Sequence, residues 1–216
     1  SINQANRNAG DGISLTQVAD GAAATVGSLL SRMRELATQS ASGTLGTTER
    51  SYLDQEFISL RSEIDRIATT TEYNGQPLLS GSSNTFEVFI GFKSGSGNSL
   101  NVALDDLDVA AVGLTGASVS TATAAQSMLA KIDSAISAVA TARANYGSIQ
   151  SRFEVAIQNL TVTAENFTAA ESRIRDADIA QETSVFTKNQ ILTQSGIAIL
   201  AQANSLPQQA LALLRG

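Results

Sequence analysis

From about Ser14 to Gln39, apolar side chains recur at Val18, Ala22, Val26, Leu29, Met33 and Leu36. The intervals are three or four residues, so these positions share one face of a helix, close to a heptad seam. The stretch "SASGTLGTTER" then supplies breakers. A second pattern runs from about Thr48 to Thr70, with Leu53, Phe57, Leu60, Ile64 and Ile67 on one face. Thr47 or Thr48 suits its N-cap, because a threonine hydroxyl accepts from the free amides of a first turn. "EYNGQPLLSG" closes this helix, and Asn74-Gly75 is a turn signal.

The period then changes from helical to alternating. Phe86, Val88, Ile90 and Phe92 alternate with polar neighbours, as do Leu100, Val102 and Leu104 beyond "SGSGN". This predicts a β-hairpin over about 85–104 with a glycine-rich turn. Residues 105–120 read as loop or short irregular structure. A long helix follows over about 122–170. Its seam is Leu129, Ile132, Ile136, Val139, Arg143, Tyr146, Gln150, Phe153, Ile157, Leu160, Ala164 and Phe167, with Arg143 and Gln150 as polar members. About 45 helical residues would span about 68 Å, so the seam asks for partner helices along its length. The first two helices can cover part of it as an antiparallel bundle. A last helical pattern, about Ser172 to Ser205, places Val185, Leu192, Ile199 and Leu206 seven apart. It has no evident partner within the chain. The expected fold is mainly α: an elongated helical bundle of long antiparallel helices with a small hairpin region. The chain closes on "ILAQANSLPQQALALLRG", apolar and nearly uncharged. Such a tail needs a cover.

Composition narrows the chemistry. Of 216 residues, 43% are hydrophobic, enough for one or two domains with a core. There is no cysteine and no histidine, which removes disulfides, thiolate sites and the commonest general base. The net charge is −6 and the basic residues form no runs, which argues against a nucleic-acid surface. No stretch approaches a membrane span, and "SINQANRNAGDGIS" lacks the basic start and apolar centre of a signal peptide. The absence of an initial methionine suggests a segment removed or left out upstream.

Candidate sites are few. Asp105, Asp106 and Asp108 could offer oxygen ligands to a hard cation, but they lack calcium-loop spacing, and a solvated loop is the favoured reading. "GFKSGSGN" places its lysine before the glycines and a strand behind them, so a hairpin turn is favoured over a phosphate loop. Glu56, Glu63 and Asp65 share a helix with Arg61 and Arg66 and read as surface ion pairs. Serine and threonine abound, yet nothing conventional activates them, so no enzyme and no cofactor is expected. In "LSRMRELATQSASGT", Met33 and Leu36 belong to the seam, whereas Arg32, Arg34, Glu35 and Gln39 point elsewhere. That face is either solvated or a partner surface.

At this stretch the sequence resembles bacterial flagellin. "NRNAGDGISLTQVADGA", "RMRELATQSASGT", "EIDRIATTTEYNGQPLL", "SRFEVAIQNL" and "ESRIRDADIAQETSVFTKNQILTQSGIAILAQANSLPQQALALLRG" occur in the flagellin order and cover nearly the whole chain. The resemblance implies a secreted filament subunit of the bacterial flagellum, used in motility. Residues 1–177 would form the core rod domain. Residues 178–216 would be the terminal helix of the inner filament domain. Two departures follow. About forty residues that form the partner N-terminal helix in the family are missing before "SINQAN", so these 216 residues alone are not expected to form normal filaments. Between about Gly116 and Thr123, where most flagellins insert outer domains, only a few residues stand, which implies a thin, sparsely decorated filament.

The resemblance also implies partners: other flagellin subunits, cap and hook-junction proteins, an export chaperone, and Toll-like receptor 5 of mammals. The tail from about Asp178, through Val185, Leu192, Ile199, Leu206, Leu211 and Leu214, would bind subunits or chaperone and be disordered or chaperone-bound in the monomer. Arg32, Leu36, Gln39 and Glu56 would form the receptor or subunit contact. The alternative within the same architecture is a hook–filament junction protein.

Overall fold

The computed structural model describes residues 1–81, 84–91, 95, 97–175 and 179–213, those at 84 and 205–213 as backbone only. Along the chain come α1 (Ile2–Ala41), α2 (Thr47–Thr70), β1 (Glu72–Tyr73), β2 (Gln76–Pro77), β3 (Asn84–Phe89), β4 (Ser99–Leu104), α3 (Ala122–Arg175) and α4 (Ile179–Leu213). The chain divides into two compact units, Ser1–Ala164 and Glu165–Gly216.

In the first unit, α1 and α3 run antiparallel. Gly12 lies against Phe153, Asp20 pairs with Arg143, and Arg34 pairs with Asp133, so numbers rise on one helix as they fall on the other. Helix α1 begins twelve positions before the apolar pattern does. Its early turns bury Ala5, Ala9 and Gly12, residues too small to register as an apolar stripe. Small side chains leave room that larger side chains of the partner fill, and the contact energy then comes from the partner. The ring of Phe153, itself fully buried, occupies the space over Gly12.

The seams hold as expected at Val26, Met33, Leu36, Ile132, Val139, Tyr146, Phe153 and Leu160, and shift by about one position elsewhere. On α1 the buried line is Leu15, Ala19, Ala23, Val26, Leu30, Met33 and Ala37, whereas Val18 is exposed and Leu29 is only partly covered. On α3, Ala142 and Ile149 fill the places assigned to Arg143 and Gln150, and Phe167 is 54% exposed. Reading large aliphatics as the seam tilts it, because alanine too is among the residues most often buried. Arg143 stands beside the seam and its Nε donates to Asp20 Oδ1 at 2.8 Å.

Helix α2 is capped by Gly46, without a side-chain cap bond, and not by Thr47 or Thr48. It buries Phe57, Ile64 and Ala68. The hairpin pairs β3 and β4 antiparallel, from Asn84 opposite Leu104 to Phe89 opposite Ser99. Phe92 lies outside the described residues. Asn8 on α1 donates from Nδ2 to the Phe89 carbonyl at 2.8 Å, tying helix to strand. A second, two-residue pairing of β1 with β2 closes over Asn74-Gly75. Residues 105–121 form no helix or strand, as expected, but they bury Leu107, Val112, Leu114, Ala117 and Val119.

Candidate assembly surface

The tail is a helix, α4, and carries only Glu182 and Lys188 as charges. Val185 is 45% exposed, Leu192 59% and Ile199 68%, and Ile179, Phe186, Ile191, Ile197 and Leu200 are exposed as well. At about 100° per residue these positions spread over more than half of the helix circumference. A helix apolar over so wide an arc is normally enclosed by partners. Among the described residues of α4, no apolar side chain is buried. The side chains of Leu206 and Leu211, and Leu214 and Asp178 altogether, lie outside the described residues.

The second surface is built on the outer faces of α1 and α2. Arg32 extends its guanidinium between two carboxylates: Nη1 donates to Glu35 Oε2 at 2.9 Å and Nε to Glu56 Oε1 at 2.9 Å. The hydrogen bonds to Glu35, then to Glu56, hold the Arg32 pKa above its usual value. Gln39 is exposed nearby and lines a groove with Ser31, Arg34, Glu35, Thr38, Asp133 and Ile136. Leu36 departs from the expected set. It is 1% exposed and belongs to the core, because it sits on the α1 face that meets the rest of the unit. Arg32, Gln39 and Glu56 are exposed on this surface and Leu36 is not.

Other candidates resolve into structure. Asp108 Oδ1 accepts from the Ala111 amide at 2.7 Å, which makes it a turn cap. Burial, then the charges of Asp108 and Asp105, raises the Asp106 pKa. Among the described residues no group of three or more potential ligands could hold a metal ion. No described helix is long and apolar enough to cross a membrane. Glu63 and Arg66 do form an ion pair, but Arg61 donates instead to the Ala117 carbonyl at 2.7 Å.

Two anchoring residues escaped the sequence reading. Arg50, 8% exposed, donates Nε to the Ser40 carbonyl at 2.8 Å, Nη1 to the Leu45 carbonyl at 2.8 Å and Nη2 to the Ser42 carbonyl at 2.5 Å. It satisfies the open end of α1 and folds the "SASGTLG" loop around one guanidinium. Asp54 Oδ1 accepts from the Val119 amide at 2.6 Å and the Ser118 hydroxyl at 2.8 Å. The Ser40 hydroxyl reaches the Val119 carbonyl at 2.5 Å. Helices α1 and α2 thus pin the loop that leads into α3. The only signal in the sequence is a charged residue beside a helix terminus, which is too common to single out.

Tyr146 is fully buried on α3, and its hydroxyl accepts from the Asp105 amide at 3.2 Å. Burial pushes its pKa up to about 12, aided by the charges of Asp105, Asp20 and Asp106 and opposed by the backbone hydrogen bond. The raised value means that the fold favours the neutral phenol. Its contribution is complete below the unfolded pKa near 10 and is lost as pH climbs through about 12. Stability should therefore fall by about 2–3 kcal/mol across that window. Urea unfolding at stepped alkaline pH checks this. Tyr146→Phe should flatten the slope, and an equally steep slope in that variant would assign it to other groups.

The chain matches two family descriptions. "Bacterial flagellin N-terminal helical region" covers residues 1–84 and "Bacterial flagellin C-terminal helical region" covers residues 129–214. The flagellin of Halalkalibacterium halodurans is 44% identical over 214 residues, or 99% of this chain and 79% of that protein. The flagellin of Bacillus subtilis is 36% identical over 248 residues, spanning 99% of this chain and 81% of that protein. The crystal structure of Bacillus cereus flagellin is similar with a TM-score of 0.62 at 32% identity, covering 76% of this chain and 94% of that one.

Proposed function

Because the chain belongs to the bacterial flagellin family and is a structural subunit of the flagellar filament, we propose how its two surfaces divide the work of assembly. Helix α4 is the polymerising element. The observation that carries this is the exposure of Val185, Leu192 and Ile199 on a helix apolar around most of its girth. Covering one leucine is worth about 1.5–3 kcal/mol, and several per subunit repeat along a lattice. Such contacts pass from copy to copy without closing a ring. The division of labour is a core over residues 1–177 and a terminal helix over 178–216. The short passage from Gly116 to Thr123 leaves the filament surface sparsely decorated.

Before assembly the same band takes an export chaperone as its cover. At the filament ends the subunit meets cap and hook-junction proteins. The filament role is favoured over that of a hook–filament junction protein, since both matched family descriptions are those of flagellin.

The test uses the exported protein. Leu192→Asp and Ile199→Asp should abolish filaments in electron micrographs and leave the thermal unfolding of residues 1–164 unchanged. In the monomer, amides of α4 should exchange with deuterium far faster than those from Ile132 to Leu160, because a lone helix is marginal in water. Normal filaments from both variants would end the proposal.

The exposed cluster of Arg32, Gln39 and Glu56 supports a second role as the contact for Toll-like receptor 5 or a neighbouring subunit. Arg32 already spends its donors on Glu35 and Glu56 in solvent, where such pairs add little to folding. Arg32→Ala should therefore weaken receptor binding about fivefold or more while unfolding stays close to wild type. A large loss of monomer stability with unchanged binding would make the residue structural.

A further inference from the structure

The sequence holds one Asn-Gly pair, Asn74-Gly75, at the tip of the β1–β2 turn. Asn74 has φ 51° and Gly75 φ 75°, the two positive values that a two-residue type I′ turn demands. Tyr73 faces Gln76 across it, and Glu72 faces Pro77. Both turn residues are exposed. Nothing lies within 4 Å of where a Gly75 Cβ would stand, so the space beside the Gly75 Cα is open. The ladder behind the turn has only two residue pairs, and so short a pairing opens at low local cost.

We propose that Asn74 is a site of spontaneous deamidation, with Gly75 supplying the attacking nitrogen. The Gly75 amide nitrogen loses its proton and bonds to Asn74 Cγ. The Cγ–Nδ2 bond breaks and ammonia leaves with that proton. Water then opens the five-membered imide at one of its two carbonyls. One route gives aspartate. The other gives isoaspartate, in which the main chain runs through Cγ and gains a methylene. No oxidant or reductant enters. The residue pair that suits the turn best is thus the pair whose side chain and backbone react most readily, since glycine puts no Cβ in the way.

The location gives the reaction a consequence. The turn is followed directly by Leu78 and Leu79, both fully buried. The Leu78 amide donates to the Thr71 carbonyl at 3.0 Å, and the Leu107 amide to the Leu79 carbonyl at 3.0 Å. A backbone one methylene longer cannot keep Glu72 opposite Pro77 and Tyr73 opposite Gln76 in a two-residue turn. Isoaspartate at 74 therefore loosens the anchor of these two leucines and of the loop that hangs on them.

The experiment ages the purified full chain in mildly alkaline buffer made with oxygen-18 water, then maps peptides by mass spectrometry. Residue 74 should take up heavy oxygen at least about ten times faster than the helical Asn145 and Asn159, given the lower opening cost of the turn. Isoaspartate should exceed aspartate there. Aged wild type should become cleavable by protease between residues 71 and 79. Asn74→Gly, which also suits the turn but has no side-chain amide, should stay resistant. Conversion at Asn74 no faster than at the helical asparagines overturns the proposal. So does aspartate without isoaspartate, or conversion confined to the urea-unfolded chain.

Discussion

Phe153→Ala should lower the stability of the Ser1–Ala164 unit by about 3–5 kcal/mol, among the largest losses expected from any single truncation here. The ring is fully buried at the crossing of α1 and α3, and the space it fills is bounded by a glycine. A Cβ at Gly12 would stand 2.5 Å from Phe153 Cζ, so neither side can spread into the gap without moving a helix. Deleting the ring leaves a cavity that α1 backbone lines and cannot fill. The converse change is informative too. Gly12→Val should cost about 1–3 kcal/mol by overpacking, despite valine's better helix propensity. Combined with Phe153→Leu it should cost less than the two single changes summed, because the smaller side chain makes room. Urea unfolding of the four proteins decides the matter. Strict additivity would mean that the two residues do not share one space. Gly10→Ala, two positions away with nothing within 4 Å of the added Cβ, is the control for helix propensity alone.

Arg50→Ala should cost about 2–4 kcal/mol, since three charge-assisted hydrogen bonds to carbonyls vanish together and leave acceptors under-satisfied at the end of α1. Arg50→Lys should recover little. An ammonium is a point donor and cannot reach Ser40, Ser42 and Leu45 at once, as the planar fork does. Arg66→Ala provides the contrast. Arg66 pairs with Glu63 one turn away on the solvent face, and its loss should barely move the unfolding midpoint. Chemical denaturation gives all three values. An Arg50→Ala protein that unfolds with the wild type would show that water replaces the guanidinium without loss.

Much of the architecture was written in local chemistry. Alternation at Phe86, Val88, Leu100 and Val102 marked the hairpin, since a strand sends successive side chains to opposite faces. The recurrence of Val26, Met33 and Leu36, and of Ile132, Val139 and Tyr146, marked helices that share a core. The motifs from "NRNAGDGIS" to "LALLRG" pointed to the family, and the relatives agree.

What pattern alone could not supply was which of two adjacent positions faces the partner. A residue's hydrophobicity is its own property, but burial belongs to the pair of surfaces that meet. Val18 is more apolar than Ala19, yet Ala19 is fully buried and Val18 is 41% exposed, because the surfaces that meet, and not a side chain's own hydrophobicity, set which face turns inward. Leu36 read both as a seam residue and as part of a partner contact, and it is buried. Arg50 and Asp54 read as ordinary charges and prove to be clasps, because the carbonyls and amides they bind come from loops whose course no local signal encodes. Sequence by itself determined the elements and their apolar faces, since those follow from propensity and period within a few turns. Only the tertiary structure decided the seams and the clasps, because each depends on which surface the rest of the first unit brings to that face.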